Sequence, residues 1–182
     1  AGFAMTEKEA SDLYGTFIAL VFLTPFIGGL IADRYLGYKK SIIFGGILMG
    51  IGYFMMGIHN ITSLYIAMTF VILGNGFFKP NISTLLGNFY TKQEYKDKKD
   101  EGYNIFYMGI NVGAFICNFF GAALQILLGW QYAFMAAGIG MFIGVLVFIL
   151  GSKHYQGYDQ KKGTQEGDMP FYKIVLFILL PS

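Results

Sequence analysis

The chain has 182 residues, of which 55% are hydrophobic, 18% aromatic and only 13% charged, with a mean hydropathy of +0.53. A water-soluble domain carries about 25% charged residues, so the composition points to an all-α, polytopic helical membrane protein, and a net charge of +2 is too small to imply a nucleic-acid partner. The single cysteine, Cys117, excludes an intrachain disulfide and a multi-cysteine metal site, and the two histidines, His59 and His154, fall in predicted loops far apart in sequence.

Taken in order, residues 1–12 are polar and acidic and read as a loop. Residues 13–31 form a first apolar span, followed by the charged loop ADRYLGYKK over 32–40. A second span covers 41–58, with a neutral turn at 59–63. The third runs over 64–90 and leads into the loop TKQEYKDKKDE at 91–101. A fourth span at 102–128, a tight turn at 129–131 and a fifth span at 132–150 complete the apolar body. Residues 151–169 are polar and glycine-rich and read as a linker; at Pro170 a further apolar span begins, with proline in a position that suits a first helical turn. No initiator methionine or signal-peptide pattern opens the chain, and the last apolar run reaches only about a dozen residues, too few to cross. The expectation is a piece of a larger membrane protein.

Loop charge alternates strictly. The loops after the first, third and fifth spans hold Arg34, Lys39, Lys40, Lys92, Lys96, Lys98, Lys99, Lys153, Lys161 and Lys162, whereas those on the other side hold only Lys8. Five crossings follow, with loops 32–40, 91–101 and 151–169 cytoplasmic. A multi-pass protein of the plasma (bacterial inner) membrane is expected, with the lipid bilayer and the remaining helices of the same protein as its partners.

The third span carries the feature that bears on function. Lys79 is its only charge, about 22 Å from one end and 16 Å from the other at a rise of 1.5 Å per residue. A lysine at that depth costs on the order of 3 kcal/mol to insert, so water, a partner or a ligand must meet it. Pro80 cannot donate to the Gly76 carbonyl, which frees a backbone acceptor and favours a kink. Helical spacing puts Asn75, Lys79 and Ser83 on one face. A cation, a polar stripe and a loosened backbone at mid-membrane mark a solute pathway. The plainer reading, a lysine fastening two helices through a carboxylate, finds no partner in the sequence: all 11 acidic residues lie in predicted loops or at span ends.

The fourth span has a second stripe, with Asn104, Asn111 and Asn118 seven residues apart and Tyr107 one turn before Asn111. Interhelical hydrogen bonding accounts for Asn104 and Asn118 as well as a solute path does; Asn111, closest to Lys79 in depth, is assigned to the path. Gly46/Gly50, Gly109/Gly113 and Gly140/Gly144 are each four apart and are expected to let helices approach closely within one bundle.

Three stretches resemble one family. GGLIADRYLGYKK is similar to the loop signature of the major facilitator superfamily, GNGFFKPNIS to the fourth-helix signature of proton-dependent oligopeptide transporters, and FYMGINVGAF to the fifth-helix signature of that family. The resemblance covers residues 11–150 and implies a partial amino-terminal bundle: helices 2 to 6 and the start of helix 7. It implies that Lys79 pairs with a peptide's terminal carboxylate, that Asn111 hydrogen-bonds the peptide backbone, and that Asp33 and Arg34 belong to a gating loop. Phe22, in ALVFLTP, stands where many members carry tyrosine; Gly15, in LYGTF, stands where animal members carry a histidine tied to proton coupling, which points to a prokaryotic type of member.

The expected function is therefore proton-coupled symport of di- and tripeptides by alternating access. Lys79, Asn111, Phe22, Tyr107 and Asn75 form the substrate site, and Asp33 and Arg34 the gate. Small peptides and protons are the ligands, with no cofactor beyond the coupling proton. A carrier of another small anion such as nitrate, or a non-transporting membrane subunit, are the alternatives. An enzyme is not expected, since the spans contain no HExxH, no paired aspartates and no serine–histidine pair.

Overall fold

The computed structural model describes residues 5–91 and 95–155. Five helices within them are long and apolar enough to cross a membrane: α1 (Glu7–Ile31), α2 (Tyr38–Met56), α3 (Ile61–Phe89), α4 (Lys99–Leu127) and α5 (Trp130–Leu150). No strand occurs among the described residues, in keeping with the all-α expectation.

The helix limits have local causes, and several differ from the composition-based reading. α1 starts at Glu7, inside the stretch expected to be a loop, because Thr6 and Glu9 form a capping box. The Glu9 N–H donates to Thr6 Oγ1 at 3.3 Å, and the Thr6 N–H donates to Glu9 Oε2 at 2.8 Å. α3 is capped by Asn60, whose Oδ1 accepts from the Thr62 N–H at 2.8 Å. The expected loop at 32–40 is mostly helical. α1 widens into a π-helical turn over Ala32–Leu36, where the Gly37 N–H donates to the Ala32 carbonyl at 2.8 Å, and only Gly37 itself breaks the direction. Gly37 (φ 81°) and Gly129 (φ 103°), which separates α4 from α5, occupy the left-handed region that a β-carbon disfavours. The loop expected at 91–101 is likewise shortened by a 3₁₀ turn at Lys96–Lys98 leading straight into α4. A 3₁₀ turn at Gly151–Tyr155 opens the expected linker; the rest of that linker and the span expected from Pro170 lie outside the described residues.

In space α3 packs on α1 and on α2, α2 also packs on α5, and α5 on α4. The enclosed core is small: Ala32, Tyr38, Ile42 and Leu85, with Phe78, Ile82 and Phe148 against them. Most other large apolar side chains are exposed, as befits helices whose solvent is hydrocarbon. In lipid the helices gain little from apolar burial and are held by close backbone approach. Gly45 of α2 and Gly74 of α3 face each other's backbone, and Gly46 and Gly50 meet Val145 and Phe142 of α5. The close approach expected of Gly109/Gly113 and Gly140/Gly144 does not occur among the described residues. A β-carbon at any of those four would find nothing within 4 Å, because α4 and α5 meet each other along other faces.

Candidate functional site

α1 and α3 each contain an internal proline, Pro25 and Pro80. Each removes the N–H that would serve the carbonyl four residues earlier, so Val21 and Gly76 lose their helical donors. The partner helix supplies a donor to the first and packs against the second. Asn75 of α3 donates from Nδ2 to the Val21 carbonyl at 2.9 Å. On α1, Gly28 lies against the Gly76 carbonyl, so closely that a β-carbon at Gly28 would overlap the oxygen. Between these contacts Thr24 Oγ1 donates to Leu20 O at 2.9 Å and reaches across to Ile72 O at 3.0 Å.

This clasp sets the two side chains that follow it in sequence. Phe22 is the neighbour of Val21, and Lys79 lies one turn beyond Asn75. Lys79 Nζ sits over the Phe22 ring, 5.6 Å from its centroid, within the range of cation–π attraction. Both residues are exposed on this chain, Phe22 to 71%. No acidic residue occurs between Asp33 and Glu94, or between Glu101 and Asp159. On α3 the helical ladder continues past Pro80 to Phe89, reinforced by side chains bonded one turn back. Buried Asn81 donates to Phe77 O at 2.7 Å, Ser83 to Lys79 O at 3.4 Å and Thr84 to Pro80 O at 2.9 Å.

Of the residues singled out in the sequence, Phe22 and Lys79 therefore meet. Asn75 shares their neighbourhood, with its amide engaged by Val21. Tyr107 and Asn111 lie on α4, where Asn111 Nδ2 donates to Tyr107 O at 3.0 Å and the Tyr107 ring is exposed. Among the described residues no hydrogen bond, ion pair or ring contact joins them to Lys79 or Phe22. The nearest connection runs through Tyr103. Its hydroxyl donates to Ser83 O at a long 3.5 Å, and its ring centroid is 6.5 Å from that of Tyr107. Asp33 and Arg34 sit half-buried on the π-helical turn, about three helical turns beyond Phe22. No cluster of three or more His, Cys, Asp or Glu that could hold a metal occurs among the described residues. The sequence reading passed over Pro25 and Tyr103, although spacing carried a signal for each: Pro25 lies four residues after Val21, and Tyr103 one turn before Tyr107.

Residues 39–177 match the POT family. The chain belongs to the POT family. This POT chain is 34% identical over 152 residues to the di-/tripeptide transporter of Lactococcus lactis subsp. lactis, a match covering 83% of the chain and 30% of that protein. It is 33% identical over 150 residues to the peptide transporter YePEPT of Yersinia enterocolitica subsp. palearctica, covering 81% of the chain and 29% of the relative. Among solved structures, a peptide transporter POT in complex with sulfate superposes with a TM-score of 0.82 at 30% identity, over 98% of this chain and 36% of that one. A POT family transporter in complex with 5-aminolevulinic acid gives 0.72 at 28% identity, over 90% and 34%. The POT chain thus spans about a third of the length of the relatives it matches. The family is the one its three motifs resemble, and its five-helix arrangement is that of part of a major facilitator superfamily transporter.

Proposed function

We propose that these helices serve a proton-coupled symporter of di- and tripeptides that works by alternating access around a midplane site. The observation that carries the reading is Lys79: an exposed ammonium midway along a membrane-length helix, seated on an aromatic ring in a stretch devoid of carboxylates. A point cation so placed is suited to a terminal carboxylate. Lys79 is the anchor, Asn111 reads the peptide backbone, and Phe22 and Tyr107 line the wall. Asn75 acts on the site through α1, because its amide holds Val21. Asp33 and Arg34, at the end of α1, belong to the gate. The similarity to a di-/tripeptide transporter supports peptides over other anions.

The test is uptake of a labelled dipeptide into liposomes holding the complete protein, with an inward proton gradient imposed. Saturable uptake that collapses with the gradient, and that unlabelled di- and tripeptides inhibit, is expected. Inhibition by nitrate but not by peptides would move the assignment to another small anion, and no uptake of either would favour a non-transporting subunit.

We also place the protein in the plasma (bacterial inner) membrane, multi-pass, with the lysine-rich turns cytoplasmic. With Cys117 replaced by serine, a cysteine at Asp97 should be protected from an impermeant thiol reagent added to intact cells, and a cysteine at Ile58 should react. The opposite sidedness would reverse the orientation.

A further inference from the structure

We infer that Tyr90 and Tyr103 form a joint between the ends of α3 and α4 that flank the lysine turn: each ring lies in a glycine notch of the other helix, and the pair makes the two ends move as one piece. The inference rests on the alternating-access reading and adds a device that transmits movement from one helix to the next.

Away from this corner the two helices part, α3 packing on α1 and α2 and α4 on α5. Here their contact is reciprocal. The ring of Tyr90, at the C-terminal cap of α3, lies on buried Gly102 near the start of α4, so closely that a β-carbon at Gly102 would overlap it. Tyr103 of α4 reaches back to α3. Its hydroxyl oxygen stands 2.9 Å from the place a β-carbon of Gly87 would take, and it donates to Ser83 O at 3.5 Å. Each helix thus supplies one ring and one notch. On α3 the two are three residues apart, about 4.5 Å along the axis; on α4 they are adjacent.

Two such contacts do what one would not. A single ring on a notch is a pivot, about which the helices still rotate. A second contact, displaced along the axis and made in the opposite direction, opposes rotation and sliding together. A tyrosine side chain turns about only two torsions, so it passes a displacement on where a long flexible stem would absorb it. Phe89 carries the joint into the lysine turn. Its ring stacks on Tyr95 with centroids 5.2 Å apart and meets Tyr90 edge-on at 5.3 Å.

The test uses the complete protein with its native cysteines removed. Gly102→Ala and Gly87→Ala should each lower dipeptide uptake about three- to tenfold. Dipeptide affinity should stay unchanged, because the joint serves movement and does not touch the ligand. Tyr103→Phe alone should keep uptake and should restore it in the Gly87→Ala protein, since the hydroxyl is the atom nearest the added methyl group. A general packing defect would not be lifted by the loss of one oxygen. Gly87→Cys with Tyr103→Cys removes one contact and leaves Tyr90 on Gly102. Uptake by this protein should be low, and a thiol-to-thiol linker as long as a tyrosine side chain should restore it. A linker that blocked uptake would show the two helix ends moving separately and would overturn the joint, as would full uptake by both glycine-to-alanine proteins. Unsubstituted protein that took up no dipeptide would overturn the transport reading itself, before any variant was compared.

Discussion

Lys79→Ala should weaken binding of a free-acid dipeptide about ten- to hundredfold and leave binding of the amidated peptide unchanged. The expectation follows from the cost of losing a charge-assisted hydrogen bond, roughly 1.5–3 kcal/mol, at about 1.4 kcal/mol per tenfold in affinity. Only the free acid engages the ammonium, so the amide serves as the internal control: a variant that had merely lost its fold would lose both ligands. Lys79→Arg should recover part of the affinity at most. A guanidinium also stacks on aromatic faces and would keep its place on Phe22, but its planar fork sets the donors in a different geometry from a compact ammonium. A role in proton coupling separates from the anchoring role by assay. Loss of the anchor weakens binding in every mode of transport, whereas loss of coupling abolishes uphill uptake and spares counterflow. If wild-type protein bound the amide as tightly as the acid, the anchor would be disproved.

The second large effect concerns two adjacent glycines with opposite expected signs. Gly28→Ala places a methyl group on the Gly76 carbonyl and should destabilise the protein by about 1–3 kcal/mol through overpacking, against a helix-propensity gain of roughly 0.5–1 kcal/mol. The nearest atoms are backbone, which cannot swing aside as a side-chain tip can. Gly29→Ala meets only the Pro80 ring carbons, at 3.6 Å and beyond, an ordinary van der Waals distance. It should be neutral or gain stability from propensity. Thermal unfolding in detergent reads both, with a lowered midpoint for Gly28→Ala and an equal or raised one for Gly29→Ala. Equal shifts for the two would mean that α1 and α3 do not cross at Gly28.

What the sequence disclosed followed the range of each signal. The five spans were legible because apolar run length is set by bilayer thickness and owes nothing to tertiary detail. Polar composition was the weaker guide at their edges. Residues 1–12 and 32–40 read as loops by charge, yet Thr6 with Glu9 makes a cap, and the charged ADRYL stretch is a helical turn. Lys79 stood out in the sequence because an ionised group at that depth is costly whatever surrounds it. Asn75 was placed on the correct face, but its partner depends on Pro25 orphaning a carbonyl on another helix, a relation visible only when the two are packed. The glycine pairs show the same limit. Spacing identifies a helix face that could admit a neighbour, and the packing decides which of these faces receives one.

The π-helical turn at Ala32–Leu36 has a consequence for comparing this chain with others. A turn closed from Gly37 back to Ala32 spans five residues where an α-turn spans four, so the last turn of this helix, before the break at Gly37, holds one residue more than an α-turn. Each residue advances the helix by about 100°, so side chains beyond the insertion point away from where an uninterrupted helix would send them. Deleting Asp33 should regularise the turn and swing Arg34, Tyr35 and Leu36 by that angle, up to the break at Gly37. For the same reason, an alignment to a relative with an unbroken helix needs a single-residue gap here. Without that gap, Asp33 and Arg34 are each matched to a position that faces the wrong way.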